Sequence, residues 1–175
     1  MKKLYLLLLS IFFIGLSYGQ LDSAIIIKKK KIVESFTDYY NKGKYEKAID
    51  FAKKLHKIEL KHKTNVTELP IIAQLIGKLH YLNKDWKNAE IWLSDAYHLN
   101  EPLKEYWIET VLPYSYDMFK INYLNNIYLL AEVSFYKQDF INGTILYKQL
   151  DSIYDKNKLT DTILKKIIVL LSTLI

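Results

Sequence analysis

The chain has 175 residues, enough for one domain, and its charge of +6 comes from 25 basic residues against 19 acidic ones, with no cysteine. Without cysteine there are no disulfides, thiolate metal sites or cysteine nucleophiles, and no lipid attachment through a cysteine behind a leader. Every basic residue is lysine, so the planar arginine fork that reads bases and grips phosphates is missing, and nucleic-acid binding is not expected.

The first segment has the layout of an export signal. Lys2 and Lys3 precede an apolar run from Leu4 to Leu16, and Ser17-Tyr18-Gly19 places small residues where a signal peptidase reads. The run is shorter than the roughly 20 residues that a spanning helix needs. The expectation is a signal peptide over 1–19 and a mature domain over 20–175, exported to the periplasm or beyond. An uncleaved anchor continuing to Ile27 is the alternative, but Gln20, Asp22 and Ser23 interrupt it. Removing Lys2 and Lys3 leaves 23 lysines against 19 acidic residues, an excess of +4. The run Lys28 to Lys31 reads as the solvated flank of a first helix, with contact to an acidic membrane surface as the alternative.

Helical spacing runs through the rest, and strand and hairpin signals are missing. A first helix is expected over Ala24 to Asn41 and a second from Tyr45 to about Lys63. The third carries Pro70 in its first turn, where a missing N–H does no harm, and runs to Leu82. Its apolar residues Ile72, Leu75, Ile76 and Leu79 fall at intervals of three and four. Asp85 caps a fourth helix that ends near Asn100 and buries Trp86, Ala89, Leu93 and Ala96. Glu101 to Leu112 reads as a further helix with Pro102 at its start and Pro113 ending it. Ser115 to Lys137 and, behind the cap Asp139, the segment to Asp155 complete the reading, and Thr160 opens a last helix.

Three stretches repeat one pattern: Gly43-Lys44-Tyr45-Glu46-Lys47-Ala48, Lys84-Asp85-Trp86-Lys87-Asn88-Ala89 and Gln138-Asp139-Phe140-Ile141-Asn142-Gly143. Each is a polar turn, an aromatic residue and, three positions later, a small residue that lets another helix approach. These units resemble tetratricopeptide repeats. The second fits best, with Ile76, Gly77, Trp86, Ala89 and Ala96 at the motif positions. The third matches at Leu130, Ala131, Phe140, Gly143 and Tyr147, with Leu150 replacing the last alanine. The first matches at Tyr39, Tyr45 and Ala48, while Phe36 occupies the small-residue site, which puts the packing of that pair in question. The turn aromatics are 41 and 54 residues apart, longer than the 34-residue norm and similar to kinesin-light-chain-type repeats. The resemblance implies an all-α, right-handed helical-repeat solenoid of antiparallel helix pairs, with units near 29–63, 70–100 and 115–155 and the start of a fourth at 160–175.

Such arrays bind partners rather than perform chemistry. His56 and His62 stand six apart, on different helix faces; these two, His80 and His98 all read as surface or groove-edge residues rather than metal ligands. Gly43, Gly77 and Gly143 are too far apart for a phosphate loop. No cofactor, metal or catalytic residue is expected, and an enzyme with a dispersed active site is the disfavoured class.

Transferring the family's inward-facing positions gives a candidate protein-binding face on the first helix of each unit. It comprises Val33, Thr37, Tyr40 and Asn41, then Gln74, Lys78, Tyr81 and Leu82, then Tyr128, Glu132, Phe135 and Tyr136. Tyrosine and phenylalanine combine apolar area with little entropy to lose, which suits contact with a peptide. The lysine–asparagine clamp by which some family members hold a C-terminal carboxylate is not reproduced.

The expected function is therefore an exported scaffold that binds a peptide or helix of another envelope protein on this concave face. The alternative is the N-terminal sensor or scaffold portion of a longer envelope signalling or peptidase-associated protein. Thr160 to Ile175 is apolar on nearly every side in its second half. Ile167, Leu170, Leu171 and Leu174 are expected to meet the third helix pair or drive self-association.

Overall fold

The computed structural model describes residues 23–62, 68–103 and 113–156. The expected signal segment, the region 104–112 and the apolar C-terminal stretch from Thr160 lie outside the described residues. Within them the chain forms six α-helices and no strand: α1 (Ser23–Asn41), α2 (Tyr45–His62), α3 (Glu68–Leu82), α4 (Trp86–Asn100), α5 (Pro113–Tyr136) and α6 (Phe140–Lys156). A 3-10 turn, Glu101–Leu103, follows α4 at the start of the helix expected over Glu101 to Leu112, the rest of which lies outside the described residues. Pro113 opens α5 rather than closing the element before it, a place where its fixed φ and missing N–H suit a first helical turn.

Each helix packs on the next in sequence, and α3 also touches α5. The apolar spacing explains the contacts. Ile72, Ile76 and Leu79 of α3 and Ala89, Leu93 and Ala96 of α4 are fully buried. Two buried side-chain amides join the second helix pair to the third. Gln74 Nε2 donates to the Asn122 carbonyl at 2.7 Å, and the fully buried Asn126 donates through Nδ2 to the Leu93 carbonyl at 2.9 Å.

The three turns within the helix pairs are the same object. Gly43, Lys84 and Gln138 all adopt left-handed backbone, with φ of 66, 60 and 63°. Their N–H groups donate to the carbonyls of Tyr40, Tyr81 and Phe135 at 3.0, 3.0 and 2.9 Å. The following residues, Lys44, Asp85 and Asp139, donate at 2.9 Å to Tyr39, His80 and Ser134. This pair of bonds satisfies the last orphan carbonyls of a helix and reverses the chain. The next helix starts at once, with the N–H groups of Ala48, Ala89 and Gly143 bonded back to Lys44, Asp85 and Asp139. In the second and third turns the aspartate also caps. Asp85 accepts from the Asn88 N–H at 3.3 Å, and Asp139 accepts from the Asn142 N–H at 3.2 Å. The asparagine side-chain amides donate to the other oxygen of the same carboxylates at 2.7 and 2.6 Å. Lys44 and Lys47 hold those two positions in the first turn.

The turns fix a register between the pairs and resolve the question raised by Phe36. Gly77 faces Leu93: a Cβ on Gly77 would sit 2.6 Å from Leu93 Cγ. The register-matched residues are Phe36 with Ala52 and Ala131 with Tyr147. In the first pair the bulk has moved from the second helix to the first. Phe36 and Ala52 are both buried in one cluster, so the bulky residue is accommodated.

Two expectations about charged and polar residues are corrected. Lys29 is not solvated: it is buried and pairs with Glu59 of α2 and, at 2.9 Å, Glu68 of α3. Helical spacing places it between Ile25, Ile32 and Phe36 on the packed side of α1, whereas Lys28, Lys30 and Lys31 are exposed. His56 and His80 are buried rather than at the surface. His56 meets Trp92 edge-on at 5.1 Å, and His80 Nδ1 lies 2.9 Å from Asp85 Oδ2, bracing the second turn. His62 and His98 are exposed, as expected.

Candidate interaction surface

Helices α3 and α5 lie side by side, so residues spaced by three and four on each can form one continuous wall. Tyr81 of α3 and Glu132 of α5 meet across it, the phenol donating to Glu132 Oε2 at 3.3 Å. Tyr147 of α6 donates to the other oxygen of the same carboxylate. Burial and the adjacent Glu132 push the Tyr81 phenol well above its ordinary range, and burial with the Glu132 hydrogen bond does the same for Tyr147. Both phenols therefore remain protonated donors at physiological pH.

Aromatic rings extend the wall toward the turns. Trp86 and Tyr136 stack face to face with centroids 4.3 Å apart and planes 2° from parallel. Tyr81 lies edge-on to both, at 5.5 Å from Trp86 and 6.0 Å from Tyr136. Lys137 and Glu90 form an ion pair between α4 and the turn after α5. Tyr136 is 55 % exposed and so offers its outer ring face to solvent. Phe135 lies 5.5 Å from Tyr147 and 5.9 Å from Phe140, and Tyr128 lies 6.4 Å from Tyr147.

Of the twelve residues on the expected protein-binding face, Tyr81, Tyr128, Glu132, Phe135 and Tyr136 gather around this cluster. Gln74 is buried and committed to the Asn122 carbonyl, so it ties α3 to α5. Tyr40 belongs to the first pair, between Phe36 at 5.9 Å and Tyr45 at 6.0 Å. Lys78 is half-buried, and burial lowers its pKa from the usual lysine value. Of the other inward-facing positions, Thr37 returns its hydroxyl to the Val33 carbonyl at 2.8 Å, Asn41 is exposed and Leu82 half-buried.

Trp86 and Tyr147 were not among the sequence candidates, because both begin on second helices. The register carries the signal: Tyr147 stands where Leu93 and Ala52 pack internally, so its hydroxyl needs a partner, and Glu132 lies within reach. Among the described residues no group of three or more His, Asp or Glu is placed to hold a metal ion. None of the described helices is long and apolar enough to cross a membrane. Comparison with protein-family models, with curated proteins and with solved structures returned no match.

Proposed function

We propose that the chain is an exported scaffold of the tetratricopeptide-like kind, a right-handed array of helix pairs that binds a segment of another envelope protein. The observation that carries this reading is the threefold recurrence of one turn, with the same backbone bonds and a left-handed residue at the same position. A unit built this way has an apolar face that only a neighbouring unit can cover, and stacking leaves a long first-helix surface open to a partner. The Tyr81–Trp86–Tyr136 cluster beside Glu132 supports that surface as the site. It offers large rings with polar tips to an extended or helical peptide. No cofactor or catalytic step is part of this reading.

The test is affinity capture by the mature chain beginning at Gln20. Replacing Tyr81 and Tyr128 together by alanine should abolish capture while leaving the helical circular dichroism spectrum intact. Tyr136→Ala, at an exposed position, should weaken capture without touching the core. Unchanged capture by both variants would place the binding surface elsewhere.

A further inference from the structure

The outer side of the first helix pair carries a groove of about 570 Å³ that the proposed peptide-binding face does not use. Its floor is apolar: Ile32 of α1 and Phe51 and Ile58 of α2. Its walls are cationic on both sides. Lys28 and Lys31 line it from α1, and Lys54, Lys57 and Lys61 from α2. None of these five ammonium groups has an ion-pair partner among the described residues, and Lys54 lies over the Phe51 ring at 4.5 Å. No acidic residue lines the groove. Asp38 is taken by Lys42 at 2.7 Å, Glu59 and Glu68 hold Lys29, and Glu34, Glu46 and Asp50 are not among the lining residues.

We infer that this groove is a docking site for an acidic amphipathic helix of a partner protein. Each part of the geometry selects for that chemistry. An apolar floor between two helices accepts the apolar ridge of a third, as helix-in-groove recognition requires. Positive charge on both walls calls for carboxylates on both flanks of that ridge, which a helix with a single apolar stripe supplies. The α2 wall runs from Phe51 to His62, about three helical turns or roughly 16 Å, which a small free anion would leave largely empty. A flat anionic membrane would touch the rims and leave the floor uncovered. Lysine rather than arginine on the walls supplies point charges for scattered carboxylates in place of bidentate forks.

The experiment uses the full chain and three probes read by fluorescence anisotropy or co-sedimentation. One probe is a helix-forming peptide of about 14 residues with leucines at intervals of three and four and glutamates on both flanks. The second is the same peptide with lysines for glutamates, and the third is a vesicle containing an anionic phospholipid. The acidic peptide should bind saturably, and its affinity should fall about tenfold from low to high salt as the charges are screened. A variant carrying K31E, K57E and K61E should lose the acidic peptide and gain the lysine peptide, a gain that a merely unfolded variant would not produce. Tyr136→Ala, on the other face, should bind the acidic peptide as the parent does; this separates the groove from the proposed peptide-binding face. Failure of the acidic peptide to bind, binding indifferent to the triple reversal, or vesicles bound in preference to the peptide would each overturn the inference.

Discussion

In the second helix pair α3 carries Gly77 and α4 presses Leu93 against it; in the first, α1 carries Phe36 and α2 recedes to Ala52. The two pairs keep the same turn and the same helix order, and what they share at this contact is one bulky residue set against one small one, on opposite helices in the two cases. The junctions between pairs differ more. Between the first and second pairs lies a buried cluster of one ammonium and two carboxylates, Lys29 with Glu59 and Glu68. Between the second and third pairs the buried links are Gln74 and Asn126 to backbone carbonyls, with Tyr81–Glu132, Gln149–Tyr97 and the partly exposed Lys137–Glu90 pair beside them. One junction is set by charge and the other mostly by neutral amides and phenols, so each should fail under different conditions.

The largest contrast is expected from Lys29→Ala. It leaves two buried carboxylates without their cation and should cost about 3–5 kcal/mol at neutral pH, read by urea unfolding. The loss should shrink in mild acid, where the Glu68 carboxyl takes up a proton instead. A loss below about 1 kcal/mol at neutral pH would show that the first junction does not depend on this cluster.

Glu68→Gln sharpens the same point. Burial, reinforced by Glu59, pushes the Glu68 carboxyl from its ordinary 4.5 up to about 7. Its folded value lies above its unfolded one, so the stabilisation is fully present below about 4.5 and is lost as pH rises through 7. His56 and His80 act in the opposite sense. Burial holds both below 6.5, so their contribution is full above that value and fades as the solution becomes more acidic. In the parent chain these slopes oppose each other. Glu68→Gln should leave the histidine slope alone, so stability should rise more steeply from pH 5 to 7, by a difference on the order of 2–3 kcal/mol. Parallel pH profiles for parent and variant would refute this account of the cluster.

Gly77→Ala tests the exchange of volume. The added methyl would meet Leu93 at 2.6 Å and should cost about 1–3 kcal/mol. Adding Leu93→Ala opens the room that Ala52 gives Phe36 and should relieve the clash. The double variant should therefore be less destabilised than the two single effects added together, as a double-mutant cycle would show. Strict additivity would mean the two positions do not share the contact.

The smallest effect is expected at the turns. Lys84 and Gln138 adopt the left-handed backbone that Gly43 adopts without strain. Lys84→Gly or Gln138→Gly should stabilise by up to about 1 kcal/mol, and Gly43→Ala should destabilise although nothing lies within 4 Å of an added Cβ.

The helix boundaries were legible because their signals are local. Asp85 and Asp139 mark helix starts, the small residues mark close approaches, and the i, i+3, i+4 apolar spacing marks the buried faces. The chain's buried charges were legible in principle. Lys29 falls in line with Ile25, Ile32 and Phe36, yet inside a run of four lysines its place on the wheel is masked by its neighbours. The partners Glu59 and Glu68 sit on two other helices, so their meeting is a tertiary fact that no local window holds. The aromatic cluster divides in the same way. Tyr81, Glu132 and Tyr136 follow from helix register, whereas Trp86 and Tyr147 join it only because second helices fold back onto first ones. Gln74 shows the converse: register places it on the candidate face, and packing commits it to another helix.

Asn126 has a mechanical consequence. A purely oily contact between two cylinders can be shifted along the axis, one ridge sliding to the next groove. The amide of Asn126 reaches the Leu93 carbonyl at one axial position only. A slide of one turn, about 5.4 Å, would strand a fully buried amide at a cost of about 1–3 kcal/mol. The α4–α5 contact thus works like a keyed joint, locked against shear by Asn126 in its core and by the Lys137–Glu90 pair at its rim. Any breathing of the long surface as a partner settles should come as a change in the angle between helix pairs, with their heights unchanged.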